Sequence, residues 1–321
     1  MLNADKPYLW NDDTRESVLQ YNNWFINFAP MAFQDARKKC TDEVDNLFSV
    51  SDYLYKIDSS LLEANPNTIT VLRMLCAPPI ARDRLAGLSN VRSSKIKKME
   101  EGVLPKKNLD YFVSDELPKI VAVIKSLLDK ELFPWLERNK RPKEKDVDVI
   151  VAKAVVADRL SGVTTDPVIR NYQEKRQLKA LSNYLEKKGY TFFQDPTVDA
   201  FDMPCGTFSF HKNVKMYKNA VDDSNGYVST PIDVVIRPLD KSITKPYLIE
   251  CKSAGDFTNT NKRRKEEDTK VNQLRATYGD DIILYLFLCG YFDASYLGYE
   301  AANHMDWIWE HRISDLEGLG I

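Results

Sequence analysis

Histidine is scarce in this chain, with only His211, His304 and His311, too scattered for an H-x-x-H metal pair. That scarcity gives little support to a histidine-based nuclease or a Ser/His/Asp hydrolase. Cysteine is sparse as well. Its five occurrences, at 40, 76, 205, 251 and 289, are odd in number and contain no C-x-x-C, so neither a disulfide framework nor a structural zinc is indicated. They are expected to be reduced and mostly buried. The longest apolar run, Ile282 to Leu288, is far too short to span a bilayer, and no basic leader precedes an apolar segment, so a cytoplasmic protein without membrane attachment is expected. Charge of one sign is missing too. With 45 basic and 47 acidic residues the net charge is −2, which excludes an overall positive field that would coat nucleic acid. Any nucleic-acid site must therefore be local, and its chemistry must rest on carboxylates and lysine.

What is present is ample for a buried core: 321 residues, 43% hydrophobic, enough for two domains. Asn11 to about Leu136 reads as helices broken at Pro30, Asn65-Pro66, Pro78-Pro79 and Pro105. Glu137 to Asp146 has no apolar residue and reads as a solvated linker, placing a boundary near 145. Residues 1–145 then form a helical domain and 146–321 an α/β (α+β) domain. In the second, Val147–Leu160 and Val168–Lys188 carry helical spacing, and Lys262–Tyr278 is a charged amphipathic helix. Tyr190–Phe193, Thr207–His211, Ile232–Arg237 and Tyr247–Lys252 read as strands, Asn225-Gly226 as a turn, and Ile282–Leu288 as a central strand.

The sharpest signal is Thr230-Pro231-Ile232-Asp233-Val234-Val235-Ile236, followed seventeen positions after Asp233 by Glu250-Cys251-Lys252. Side chains alternate along a strand, so Ile232, Val234 and Ile236 should share one face with Asp233 on the other. Glu250 and Lys252 should lie together, opposite Ile249 and Cys251. If the strands are neighbours, three charged groups converge. Phosphodiester hydrolysis needs such a set: carboxylates hold a hard cation such as Mg²⁺, and a lysine orients the attacking water and offsets negative charge on the phosphate. Glu-x-Lys by itself is a common triplet, and cross-strand ion pairs are ordinary surface features. Here, though, the triplet sits in a strand that should be largely buried, where charges are costly unless paired or holding metal. At these residues the chain resembles the PD-(D/E)XK nuclease superfamily, matched by Pro231, Asp233, Glu250 and Lys252. Glu174, one turn before Leu178 on the stripe Leu178, Leu181, Leu185, should face inward. It either pairs with an arginine such as Arg170 or joins the metal site, as a helical glutamate does in many nucleases of that superfamily.

Two segments are candidates for touching DNA. Lys262, Arg263 and Arg264, with Lys265, open the helix after the Glu-x-Lys strand and could neutralise phosphates, or could form a solvated face balanced by Glu266, Glu267 and Asp268. Arg82 to Gly102 resembles a helix-turn-helix of the phage-repressor kind, with Leu85, Ala86, Val91, Ile96 and Met99 at packing positions and Gly87 to Asn90 as the turn. Its second helix would present Arg92, Ser93, Ser94, Lys95 and Lys98 to the major groove. The plainer reading is two short helices with a basic face.

Over nearly its full length the chain resembles the XamI-type restriction endonuclease family. The likeness is carried by Met1-Leu2-Asn3-Ala4-Asp5-Lys6-Pro7, Tyr21-Asn22-Asn23-Trp24-Phe25, Pro79-Ile80-Ala81-Arg82-Asp83-Arg84-Leu85, Ala157-Asp158-Arg159-Leu160 and Thr165-Asp166-Pro167-Val168-Ile169-Arg170-Asn171. Glu250-Cys251-Lys252-Ser253-Ala254-Gly255-Asp256-Phe257-Thr258-Asn259 completes it. The resemblance implies a type II restriction endonuclease with a PD-(D/E)XK core. Such an enzyme depends on Mg²⁺, cuts double-stranded DNA at a short palindrome, GTCGAC for the family's named member, and leaves 5′-phosphate ends. A palindromic site favours a homodimer. The competing readings are a repair or recombination nuclease with the same metal site, and a helix-turn-helix regulator in which the acidic cluster is structural.

Overall fold

The computed structural model describes residues 1–321 apart from 139, 220, 222, 223, 225 and 257–259, with 260–263 described as backbone only. The expected turn at Asn225-Gly226 and the side chains of Lys262 and Arg263 therefore lie outside the described residues. Two compact units emerge: Ala29–Ile169, and Met1–Phe28 together with Arg170–Ile321.

The first unit is all helical. Its core gathers Leu47, Phe48, Leu72, Leu85, Ile96, Met99, Phe112, Ile120, Phe133, Trp135, Val156 and Leu160. The expected breaks at Asn65-Pro66 and Pro78-Pro79 are real: helices end at Ala64 and Met74. The break expected at Pro30 is absent, and so is the gap expected between Leu160 and Val168. Pro30 and Pro167 lie inside 41-residue helices, Trp10–Val50 and Val147–Lys187. A proline removes one i→i−4 bond and strains one turn, which a helix with many further bonds and an apolar face to bury can absorb. The described residues of the segment 137–146 are mostly non-helical, yet the segment lies inside this unit and marks no boundary between units.

The reason the first 28 residues join the C-terminal half is a cap no sequence pattern announces. The buried carboxylate of Asp306 accepts the backbone N–H groups of Leu2, Asn3 (2.9 Å) and Ala4 (3.0 Å). Trp10 packs edge-on against Trp307, and Arg312 forks onto Asp13. A strand-end aspartate gathering three N–H donors ties the N-terminus to the sheet.

The second unit is built on a six-stranded sheet in sequential order: β1 (Thr191–Phe192), β2 (Thr207–Tyr217), β3 (Tyr227–Arg237), β4 (Tyr247–Ala254), β5 (Leu284–Gly290) and β6 (Asp306–Trp309). β2, β3 and β4 pair antiparallel; β4, β5 and β6 pair parallel. β5 is buried at every residue, as its unbroken apolar run predicts. The sheet separates two cores. One holds Val235, Leu248, Leu286 and Leu288 under the helix Thr260–Tyr278, through Val271 and Leu274. The other holds Val234, Ile236, Ile249 and Phe287 under Leu178, Leu181 and Leu185 of the long helix. Trp307, Trp309, Phe292 and Tyr296 are core, while Tyr291 and Tyr299 are exposed. Among the described residues no helix is long and apolar enough to cross a membrane.

Candidate active site

β3 and β4 pair from Ile236↔Tyr247 to Val234↔Ile249 and then part. Where the next pair would form, the Asp233 carboxylate takes over from the backbone: its Oδ2 accepts the Cys251 N–H at 2.8 Å. On the other side of β3, pairing with β2 runs to Phe210↔Val234, skips a step and resumes at Lys212↔Ile232. The skipped residue opposite Asp233 is His211, in left-handed backbone at φ 49°. This kink corrects one expectation. Ile232 packs with Val214 and Met216 in one core, whereas Val234 and Ile236 pack with Phe208 in the other, so strict alternation fails across Asp233. Glu250 and Lys252 do share a face, toward the helix Thr260–Tyr278.

The three expected residues meet. Lys252 Nζ lies 3.2 Å from Glu250 Oε2, and the charges of Glu250, Lys252 and Lys270 all act on Asp233. Burial, reinforced by Glu250, raises the Asp233 carboxyl above the usual range. Burial alone would lower the Lys252 ammonium, but the carboxylates of Glu250, Glu267 and Asp233 outweigh it and raise it.

Sequence reasoning missed three participants. Lys270 donates to Glu250 Oε1 at 2.8 Å, so each oxygen of Glu250 has its own lysine. Glu267, which one of the two readings above placed on a solvated face, is 3% exposed and stands 3.9 Å from Lys252. The helical period could have revealed both, since Glu267, Lys270, Val271 and Leu274 follow i, i+3, i+4, i+7. His211 had no such signal. It reaches Glu174 at 3.4 Å, and ligand atoms of Glu174, His211 and Asp233 all lie within 4.8 Å of one another.

Glu174 thus comes to Asp233, though not by facing the core. Its side chain is 45% exposed, and the buried positions at this end of the helix are Gln173 and Gln177. Gln177 donates to Phe287 O at 3.1 Å and accepts from Ser253 at 3.0 Å, stapling the helix to β4 and β5. Hydrogen bonding to strand backbone, not apolar spacing, decides which way the helix faces here.

Among the basic residues expected to touch DNA, the structure makes distinctions. The helices Arg82–Ser89 and Ser93–Glu100 form with Leu85, Ala86, Val91, Ile96 and Met99 buried, as the motif requires. The turn is Asn90 to Arg92 instead of Gly87 to Asn90, because Asn90 itself takes the left-handed conformation at φ 53°. Arg92, Ser94 and Lys98 are exposed. Lys95 is turned inward, 2.5 Å from Glu116 and over the Phe112 ring, and Ser93 bonds Asp83. Arg264 lies over the rings of Tyr296 and Tyr299. Beside His211 opens a cavity of about 520 Å³ lined in part by Asp195, Asp199, Lys212, Asn213 and Lys215.

The profile of the family described as XamI restriction endonuclease matches residues 52–309. Type II restriction enzyme SalI of Streptomyces albus G is 47% identical over 324 residues, covering 100% of both chains. No solved structure matches.

Proposed function

The chain belongs to the XamI restriction endonuclease family, and on that footing we propose that it hydrolyses double-stranded DNA at GTCGAC with Mg²⁺, leaving 5′-phosphate ends. The observation that carries this is the meeting of Asp233, Glu250 and Lys252 where β3 and β4 part. The donor chemistry suits the ion: carboxylate oxygens such as those of Asp233 and Glu250 are what a hard divalent cation takes, and Glu174 and His211 bring further ligand atoms within 4.8 Å of Asp233. Bound there, the cation would polarise the phosphoryl oxygen and lower the pKa of a water. Lys252 supplies positive charge beside the scissile phosphate and orients the attacking water. Lys270 holds Glu250 in place from the helix side.

The test is direct. Unmethylated DNA carrying GTCGAC should give discrete fragments with the wild type and Mg²⁺, and remain intact with EDTA. Cutting at scattered positions would favour a repair or recombination nuclease, and intact DNA under every divalent metal would favour the regulator.

We assign DNA contact in the helical unit to Arg92, Ser94 and Lys98, which are exposed, and leave out Lys95 and Ser93, which are engaged within the protein. Replacing Arg92 and Lys98 together by alanine should weaken duplex binding by roughly five- to 150-fold for each side chain removed, at ~1–3 kcal/mol each. The salt dependence should flatten by about one unit for each phosphate that loses its basic partner. Wild-type affinity and salt slope in this variant would remove the segment from the interface. A palindromic target is matched by a twofold pair of chains, so a homodimer is the proposed cutting species.

A further inference from the structure

We propose that Glu267, backed by Tyr296 and Glu300, is the positioning residue for Lys252 during cleavage. The inference rests on the active site just assigned and asks what keeps its lysine in place.

Lys252 is a flexible four-carbon stem ending in a point charge, and its partner at hydrogen-bonding distance is Glu250. Glu250 is also the carboxylate a divalent ion would recruit. A lysine steered by Glu250 alone would be left without an anchor just when the site is assembled. Glu267 comes from a different element, the helix Thr260–Tyr278, and presents Oε1 to the Lys252 ammonium at 3.9 Å. That is longer than a hydrogen bond, so it directs the ammonium without clamping it.

The rest of the arrangement aims that carboxylate. Glu267 Oε2 accepts from the Tyr296 hydroxyl at 2.7 Å. Tyr296 and Glu300 stand one turn apart on the helix Ala294–Ala302, so they meet Glu267 as a unit. Glu300 is fully buried, and burial first, then Glu267, pushes its pKa up to about 9. Held neutral at ordinary pH, it adds no second negative charge beside Glu267. Burying an acid pair in an apolar setting costs stability that two leucines would not, so a purely structural purpose is the weaker account.

The experiment compares wild type, Lys252→Ala, Glu267→Gln and Tyr296→Phe on a short GTCGAC duplex. Three quantities are read: the single-turnover cutting rate in Mg²⁺, the Kd for the same duplex in Ca²⁺, and the melting midpoint. Glu267→Gln preserves shape and the Tyr296 bond but removes the charge; its rate should fall on the order of 10²-fold, the scale of a misplaced reacting group, with Kd and melting midpoint unchanged. Tyr296→Phe removes one hydrogen bond and should slow cutting by roughly tenfold. A Glu267→Gln protein that cuts at the wild-type rate overturns the inference, as does a loss of rate that only tracks lost affinity or melting. If Glu267→Gln does not fold, Tyr296→Phe decides: normal melting with slower cutting supports the inference, and normal cutting sinks it. A wild type that does not cut, or a Lys252→Ala that cuts normally, removes the active-site assignment itself, and the two failures are told apart by those arms.

Discussion

Asp233→Asn is expected to slow cleavage by on the order of 10²–10³-fold or more, the scale of losing one preorganised charge at a reacting phosphate, without lowering the melting midpoint. Asparagine is the informative choice because its oxygen can still accept the Cys251 N–H, which alanine would leave unpaired. The stability half follows from the sign of the shift. Burial and Glu250 raise the Asp233 carboxyl above 3.8, so the folded protein binds its proton more tightly than the unfolded chain does. The ionised form at neutral pH then costs folding free energy, and a neutral isostere removes that cost. Lost activity with equal or higher melting marks a functional charge; lost activity with lower melting would make Asp233 a structural strut. The same shift sets a pH dependence. Because the shift is upward, Asp233 protonates at a higher pH than an ordinary aspartate, and the Mg²⁺ concentration needed for half-maximal cutting should rise as the pH is lowered. Lys252→Ala should fail to cut to a similar degree, since Lys270 holds the opposite oxygen of Glu250 and cannot take its place.

Gly290→Ala should be the most damaging small substitution in the sheet, costing more than about 3 kcal/mol and abolishing cutting along with it. Gly290 ends β5 at φ 103°, a backbone conformation L side chains rarely adopt. A Cβ there would stand 2.0 Å from the carbonyl oxygen of Ala254 and 3.0 Å from its carbon, and neither is a flexible side chain that can yield. Ala254 lies two residues beyond Lys252 on β4 and pairs directly with Gly290. Any relief must push that strand end, and the lysine with it, out of place. Gly87→Ala serves as the control. Inside the helix Arg82–Ser89 a Cβ at 87 meets nothing within 4 Å, so alanine should stabilise by about 0.5–1 kcal/mol through helix propensity. Thermal melting of both variants beside the wild type reads the contrast, and a Gly290→Ala protein melting like the wild type would show that the strand ends can part freely.

Legibility in the sequence followed the range of the forces involved. The strands carrying Asp233, Glu250 and Lys252 were readable because alternation and apolar content are local, and their charges stood out against a background that must be buried. The buried face of Ser93–Glu100 was readable for the same reason. Lys270 and Glu267 carried the periodic signal but were charged residues in a charged helix, and charge alone says solvent. Only the sheet beneath them, with Val271 and Leu274 packed into it, shows that this side of the helix is buried.

By itself the sequence determined the chemistry available: few histidines, unpaired cysteines, no net positive field, and a carboxylate–lysine set on two strands. It also determined, through apolar runs and spacing, that a helical region precedes a strand-bearing one. Tertiary structure decided which groups meet. His211 reaches Asp233 because a left-handed residue turns the β2–β3 ladder over, and Glu174 comes beside them because Gln177 staples its helix to strand backbone. The N-terminal 28 residues join the sheet because one buried aspartate gathers their N–H groups. Each of these is a polar contact between residues distant in sequence, and such contacts leave no periodic trace: hydrogen bonds act at a point, whereas apolar burial acts along a face.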